Sequence, residues 1–339
     1  MRLLLRRCLW APPTLAGVLI VTFLVTHLLP GDPAVFFASD PAADAGTIAT
    51  IRQKLGLDLP LWRQFVIYVG DIAHGDLGQS ITTGQPVARD LLQRLPASLE
   101  LTLCAFAIAI AAALPLGVAA ALRPGSIIDH ATRAISAAGA SLPTFVTGLV
   151  LIYVFYNLLG VAPEPIGRLE AFATPPPSHT GFLLIDELIA GDLAGFGMAA
   201  RQIALPALTM ALFALAPMAR MTRAAMIGAL RADFVRAARA NGLSPRTIVI
   251  TYAFRNAMLP VVTTLGMVFS YMLGANVLVE KVFAWPGVGS YTLDAMAGLD
   301  YAPVQGFMLL MASIFVALNL AIDFLYALID PRAGLAADG

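Results

Sequence analysis

Residues 236–260 read RAARANGLSPRTIVITYAFRNAMLP, with four arginines and no acid, and they lie between two long apolar runs. What those runs are decides the fold. The chain has 339 residues, 59% hydrophobic and 12% charged, and its mean hydropathy of +0.80 lies outside the range of water-soluble domains. Runs with almost no charge, long enough to cross roughly 30 Å of hydrocarbon as about 20 helical residues, occur six times. They fall at 10–29, 99–122, 134–160, 203–219, 256–279 and 304–329. The fourth is the shortest, and Pro206 and Pro217 within it predict bends that neighbouring helices accommodate. The pattern predicts an all-α integral membrane protein with six transmembrane helices.

Arg2, Arg6 and Arg7 before the first run resemble the start of a signal peptide. The run is too long for that, and LLPGDPA after it lacks an A-x-A-like cleavage site, so an uncleaved anchor is expected. Basic residues then set the orientation. With the N-terminus cytoplasmic, the inside segments hold Arg2, Arg6, Arg7, Arg123, Arg133, Arg220, Arg223, Arg231, Arg236, Arg239, Arg246, Arg255 and Arg332, against only Asp129, Asp233, Asp330 and Asp338. The outside segments hold eight bases and sixteen acids, and Asp323 lies within the last span. This asymmetry predicts that both termini are cytoplasmic.

Between the first two spans, TIATIRQKLG (47–56) and DLPLWRQFVIYVGDIAHGDLGQS (58–80) read as short amphipathic helices of a small outside cap. Around 161–202, the run Pro175, Pro176, Pro177 predicts an extended turn, followed by an interfacial helix over IDELIAGDLAGFG. The loop FAWPGVGSYTLDAMAGLDYAPVQ (283–305), rich in Gly and aromatics, is expected to dip into the membrane edge. The domain reading is an anchor plus cap over 1–93, a transmembrane core over 94–329 with a cytoplasmic loop near 220–255, and a tail over 330–339.

Small residues recur every fourth position at Ala105, Ala109, Ala113, Gly117 and Ala121 in the second span, and at Gly266, Ser270 and Gly274 in the fifth. Such stripes let helices approach closely where lipid supplies no hydrophobic drive between them. Cys8 and Cys104 read as small packing residues rather than a disulfide.

Catalytic chemistry has little to work with. His27, His74, His130 and His179 are scattered and form no HExxH or paired-ligand spacing, so no metal site is expected. No G-x-S-x-G occurs. Lys54 and Lys281 are followed by Leu55 and Val282, so there is no Walker A loop, and any ATP used belongs to another chain. With Glu100 counted to the outside segment that ends in RLPASLE, Asp323 and His27 are the charges read inside the spans, fewer than a proton-coupled carrier would show.

The opening stretch reads as two capped helices. Asp233 is the expected N-cap of the first, with Phe234, Ala237, Ala238 and Asn241 sharing a face and Arg236 and Arg239 on another. Gly242 takes the left-handed position that ends it. Ser244 and Pro245 supply an N-cap and first-turn proline for a second helix running toward Pro260. A helix of two turns is not stable alone in water, so it needs a partner surface. A positive-inside loop needs only basic residues, and not this capping.

At these residues the chain resembles the inner-membrane permease subunits of binding-protein-dependent ABC importers, in their dipeptide, oligopeptide and nickel branch. Their EAA loop has two alanines, three residues and a glycine; Ala237, Ala238 and Gly242 match it, with Arg236 at the acidic position. The resemblance continues through NGLS, FRNAMLPVVTTLG and VFAWPGVG, and through LPGDP, LGLDLPLW, GDLGQS, RLPASLEL and DPR, across nearly the whole chain. It implies a type I ABC importer permease fold in a bacterial inner membrane. An ATPase-coupling loop would be carried by Phe234, Arg236, Ala237, Ala238, Arg239, Asn241, Gly242 and Ser244. It further implies a homologous second permease, two ATP-binding subunits holding ATP and Mg, an extracytoplasmic binding protein and surrounding lipid, with no cofactor in this chain and no nucleic acid. Di- or oligopeptides are the implied cargo, with nickel, glutathione or another small solute as alternatives. An ATP-independent channel or secondary carrier is the reading of a different class.

Overall fold

In a computed structural model, residues 12–24, 45–54, 56–170, 173–298 and 300–329 are described. The described residues form helices and connections, with one isolated β-bridge between Gln79 and Pro86. In chain order the helices are α1 (Pro12–Leu24), α2 (Ala45–Lys54), α3 (Leu61–Ala73), α4 (Val87–Leu122), α5 (Ile127–Ser141) and α6 (Thr144–Leu151), which winds on as a π-helix over Ile152–Leu158. They continue as α7 (Leu183–Ala190), α8 (Leu193–Arg231), α9 (Asp233–Ala240), α10 (Pro245–Val282, π-helical over Ile248–Phe254), α11 (Val288–Ala297) and α12 (Tyr301–Ile329).

Among the described residues, four helices are long and apolar enough to cross a membrane: α4, α8, α10 and α12 over Tyr301–Ile322. A fifth span is present if the sharply bent pair α5 and α6 is taken as one. Of the expected first span only α1 lies among the described residues; His27, the chain ends and the side chain of Asp323 lie outside them. The short apolar run at 203–219 is the middle of a 39-residue helix that carries Pro206 and Pro217 without breaking. Its polar extensions are what the hydropathy window could not include. Asp192 starts it, accepting from the backbone N–H groups of Ala194 and Gly195.

The chain divides into two compact units, residues 1–97 with 286–317, and 98–285 with 318–339. In the first, Val87, Leu91, Val288 and Tyr291 form a core flanked by Leu77, Leu95 and Phe307. Loop 79–86 is fastened over it: Ser80 Oγ and Thr82 N–H donate to Asp300 Oδ2 at 2.8 and 3.0 Å, and Tyr291 OH donates to Asp90 at 3.0 Å. Burial, with the nearby Asp90 carboxylate, pushes the Tyr291 phenol up to about 12, so it remains a donor.

In the second unit the small-residue stripe of α4 faces inward. Ala105, Ala109, Ala113 and Ala121 are buried. A Cβ added at Gly117 would lie 2.6 Å from Thr222 Cβ and 2.9 Å from the Ala219 carbonyl oxygen, so α4 and α8 touch at the backbone. The stripe of α10 is used only in part: Gly266 abuts Ile322, whereas a Cβ at Gly274 would meet nothing within 4 Å. Polar groups fasten α4 to α10 as well. Asn276 Nδ2 donates to the Ser98 carbonyl at 3.1 Å and to Thr102 Oγ1 at 3.2 Å, and Ser98 Oγ donates to the buried Glu280 carboxylate.

Overpacking in such a contact costs about 1–3 kcal/mol. Gly117→Val is therefore expected to lower the melting temperature and yield of the detergent-purified protein, while Gly274→Ala leaves both near the parent. Equal behaviour of the two variants in a thermal size-exclusion assay would contradict the placement of these glycines.

Candidate functional site

The arginine-rich loop begins at a joint of one residue. Ala232, extended at φ −70° and ψ 153°, is both the C-cap of α8 and the N-cap of α9. Asp233 is thus not the cap. It is the first helical residue, where its negative charge suits the helix dipole, and it pairs with Arg236 while both stay exposed. A pair so open to solvent adds little stability.

The buried side of α9 also differs from expectation. Val235 and Ala238, three residues apart, pack against Ile248 and Tyr252 of α10. Phe234 is 39% exposed, and Arg236, Ala237, Arg239 and Asn241 are exposed with it. Phe234, Ala237, Ala238 and Asn241 therefore do not share one face: Ala238 faces the protein and the other three face away. The reason is tertiary, because Ile248 supplies the apolar partner and only residues 235 and 238 point at it.

The end of α9 follows local rules. Gly242 has φ +74°, its N–H donates to the Arg239 carbonyl at 3.0 Å, and the Leu243 N–H donates to the Ala238 carbonyl at 3.2 Å. These two bonds make a Schellman ending. Ser244 Oγ then accepts from the Thr247 N–H at 3.2 Å, and Pro245 occupies the first turn of α10. The following π stretch buries Ile248 and Ala253. Ala253 and Ala257 join Met226 of α8 and Ala121 of α4 in one apolar cluster.

The loop thus presents a two-turn helix, held from beneath by two small apolar side chains, with an outer surface of one aromatic, small residues and arginines. Arg231 and Arg246 extend the positive charge, and both are exposed.

A second ordered loop precedes α8. Arg168 Nη2 donates to Glu100 Oε2 at 2.6 Å and to the Gly181 carbonyl at 3.0 Å, and the Leu184 N–H donates to Glu100 Oε1 at 2.7 Å. Asp186 accepts from Thr180 N–H and Oγ1, each at 2.8 Å, and from Gly181 N–H at 3.0 Å. Burial alone would raise the Asp186 carboxyl. The donors from Thr180, Gly181 and His179 outweigh it and hold the group below the usual carboxylate range.

With this architecture, an all-α multi-pass membrane protein, the comparisons with known proteins agree. The family described as binding-protein-dependent transport system inner membrane component matches residues 113–334, and its N-terminal companion matches residues 1–102. The chain is 43% identical over 332 residues to a probable D,D-dipeptide transport system permease protein of Escherichia coli K12, covering 98% of this chain and 97% of that one. It is 42% identical over 320 residues to a di/tripeptide transport system permease protein of Pseudomonas aeruginosa, covering 94% and 95%. It is 38% identical over 337 residues to a dipeptide transport system permease protein of Escherichia coli K12, covering 98% of each. The chain belongs to the family of inner-membrane components of binding-protein-dependent transport systems. It is a multi-pass permease subunit, not itself an enzyme.

Two outcomes test the loops. A side chain at φ +74° costs about 1–2 kcal/mol unless it is Asn or Asp, so Gly242→Val is expected to speed trypsin cleavage after Arg239 and Arg246 while Gly242→Asn stays near the parent rate. Asp186, with a folded-state pKa below its unfolded value of about 3.9, contributes stability above that value and loses it as the pH falls through the depressed one. Pepsin cleavage within 173–182 should accordingly be slow near pH 4 and rise on further acidification, whereas Asp186→Asn protein is cut readily throughout.

Proposed function

We propose that this chain is the membrane-embedded permease of an ATP-driven peptide importer, and that α9 is its docking element for an ATP-binding partner subunit. The observation that carries the reading is the division of α9: Val235 and Ala238 seat it, while Phe234, Arg236, Ala237, Arg239 and Asn241 are left outward. A helix of eight residues with an exposed aromatic and two arginines is completed by a partner groove with an apolar slot and acidic rims. Gly242 and Ser244 fix where the helix stops and where α10 begins, so they set its angle rather than touch the partner.

The assembly would comprise a second permease, two ATP-binding subunits carrying ATP and Mg, and an extracytoplasmic binding protein. The absent Walker lysine requires that ATP be bound elsewhere. Six spans with both ends cytoplasmic put the arginine-rich loop on the ATPase side, in keeping with the charge asymmetry. Peptides are the favoured cargo because three near full-length relatives carry dipeptide or di/tripeptide transport names. Closure of the ATPase pair would push on α9, and a switch from 1:99 to 99:1 needs about 5.5 kcal/mol of differential binding.

The docking face is tested without disturbing the seat. Phe234→Asp combined with Ala237→Glu should leave the chain folded in the membrane but abolish peptide uptake by the reconstituted importer and release the ATPases during purification. Parental uptake by that double variant would move the docking surface elsewhere. Substitution of Ala238 is the wrong probe, since Ala238 is buried and its change disrupts packing first.

A further inference from the structure

Docking at α9 makes no use of a part-buried ion pair nearby in the same unit. Asp129 is 1% exposed and sits in the first turn of α5. Its carboxylate is gripped by a fork from α8: Arg223 Nε donates to Oδ1 at 2.6 Å and Nη2 to Oδ2 at 3.1 Å. The Gly125 N–H donates to Oδ2 at 2.9 Å, and the Asp129 N–H donates to the N-cap Ser126 Oγ at 3.3 Å. Arg133, one turn along α5, stands 3.6 Å from Oδ2. The same carboxylate therefore ends the turn after α4, starts α5 and binds α8.

Each side of the pair belongs to a firmly packed block. On α8, Arg223 follows Thr222, which Gly117 of α4 meets at backbone distance. One turn further, Met226 packs against Ala253 and Ala257 of α10, and Ile248 of α10 seats α9. On the other side, α5 leads to the sharp bend before α6, where a Cβ at Gly139 would lie 2.8 Å from the Leu212 carbonyl oxygen. A displacement of α9 can thus travel through Ile248 and Met226 into α8, and reach α5 where Arg223 holds Asp129.

Apolar side chains could hold such a junction as well, because an ion pair whose arginine is a quarter exposed adds only modest stability. A forked pair instead has a few discrete arrangements, and coupling is carried by elements of that kind. Arg133 supplies a second cation within reach, so the carboxylate keeps a partner if the fork opens. We propose that Asp129 and Arg223 are a positioning pair that transmits movement of the α8–α9 corner to the bent α5–α6 pair, tying ATP hydrolysis to peptide passage. This rests on the docking role of α9.

The test uses the complete importer, with both permeases, both ATPases and the binding protein, in proteoliposomes, measuring peptide taken up per ATP hydrolysed. Asp129→Asn keeps the shape and is expected to retain the ATPases and their hydrolysis while peptide per ATP falls roughly 5-fold. Asp129→Glu should recover part of that ratio. The proposal is overturned if Asp129→Asn transports the parental amount per ATP, or if hydrolysis and uptake fall together because the ATPases no longer co-purify, which would make the pair merely structural. Failure of the docking reading shows separately, as parental uptake by the Phe234→Asp, Ala237→Glu variant.

Discussion

The close approach of α4 to α8, where Gly117 leaves no room for a side chain beside Thr222 and Ala219, is the constraint on which the second unit depends. In a bilayer, lipid tails solvate apolar side chains as well as a neighbouring helix does, so helices associate through tight contact and polar links. Alanines along α4 allow the contact, and the backbone touch at Gly117 fixes its register. The cluster of Ala121, Met226, Ala253 and Ala257 then follows as the continuation of the same seam.

The length of α8 matters as much as its packing. At 1.5 Å per residue its 39 residues extend about 58 Å, well beyond a hydrocarbon core of roughly 30 Å. One end is reached through Asp192, next to the loop that Asp186 and Glu100 hold in order. Its other end runs directly into α9. A single rigid element therefore connects an ordered loop at one pole with the arginine-rich loop at the other, and its two prolines lie inside the packed part, where neighbours support the backbone groups they free.

Much of this was legible beforehand, for reasons that differ by element. The apolar cores of α4, α8, α10 and α12 were visible because lipid demands them. Their ends were not, because outside the hydrocarbon a helix can continue through polar residues such as those of 193–202 and 220–231. Gly242 and Ser244 were readable because their roles depend on residues two or three away. The seat of α9 was misjudged because Phe234 is the larger apolar group, and only Ile248, brought in by tertiary folding, selects Val235 instead. The fork between Arg223 and Asp129 joins residues 94 apart in sequence, and no local pattern announces it; both had looked like ordinary loop charges. In α10 the repeat of Gly266, Ser270 and Gly274 looked uniform, yet of its two glycines only Gly266 has a close neighbour.

The joint at Ala232 has a mechanical meaning of its own. With one extended residue between Arg231 and Asp233, the corner has almost no slack to take up, unlike the looser linkage that several glycines would give. A lever with such a joint has little backlash: a small displacement at one arm appears at the other without a dead zone. Timing between the two arms is then set by the stiffness of the corner rather than by how long a floppy tether takes to tighten.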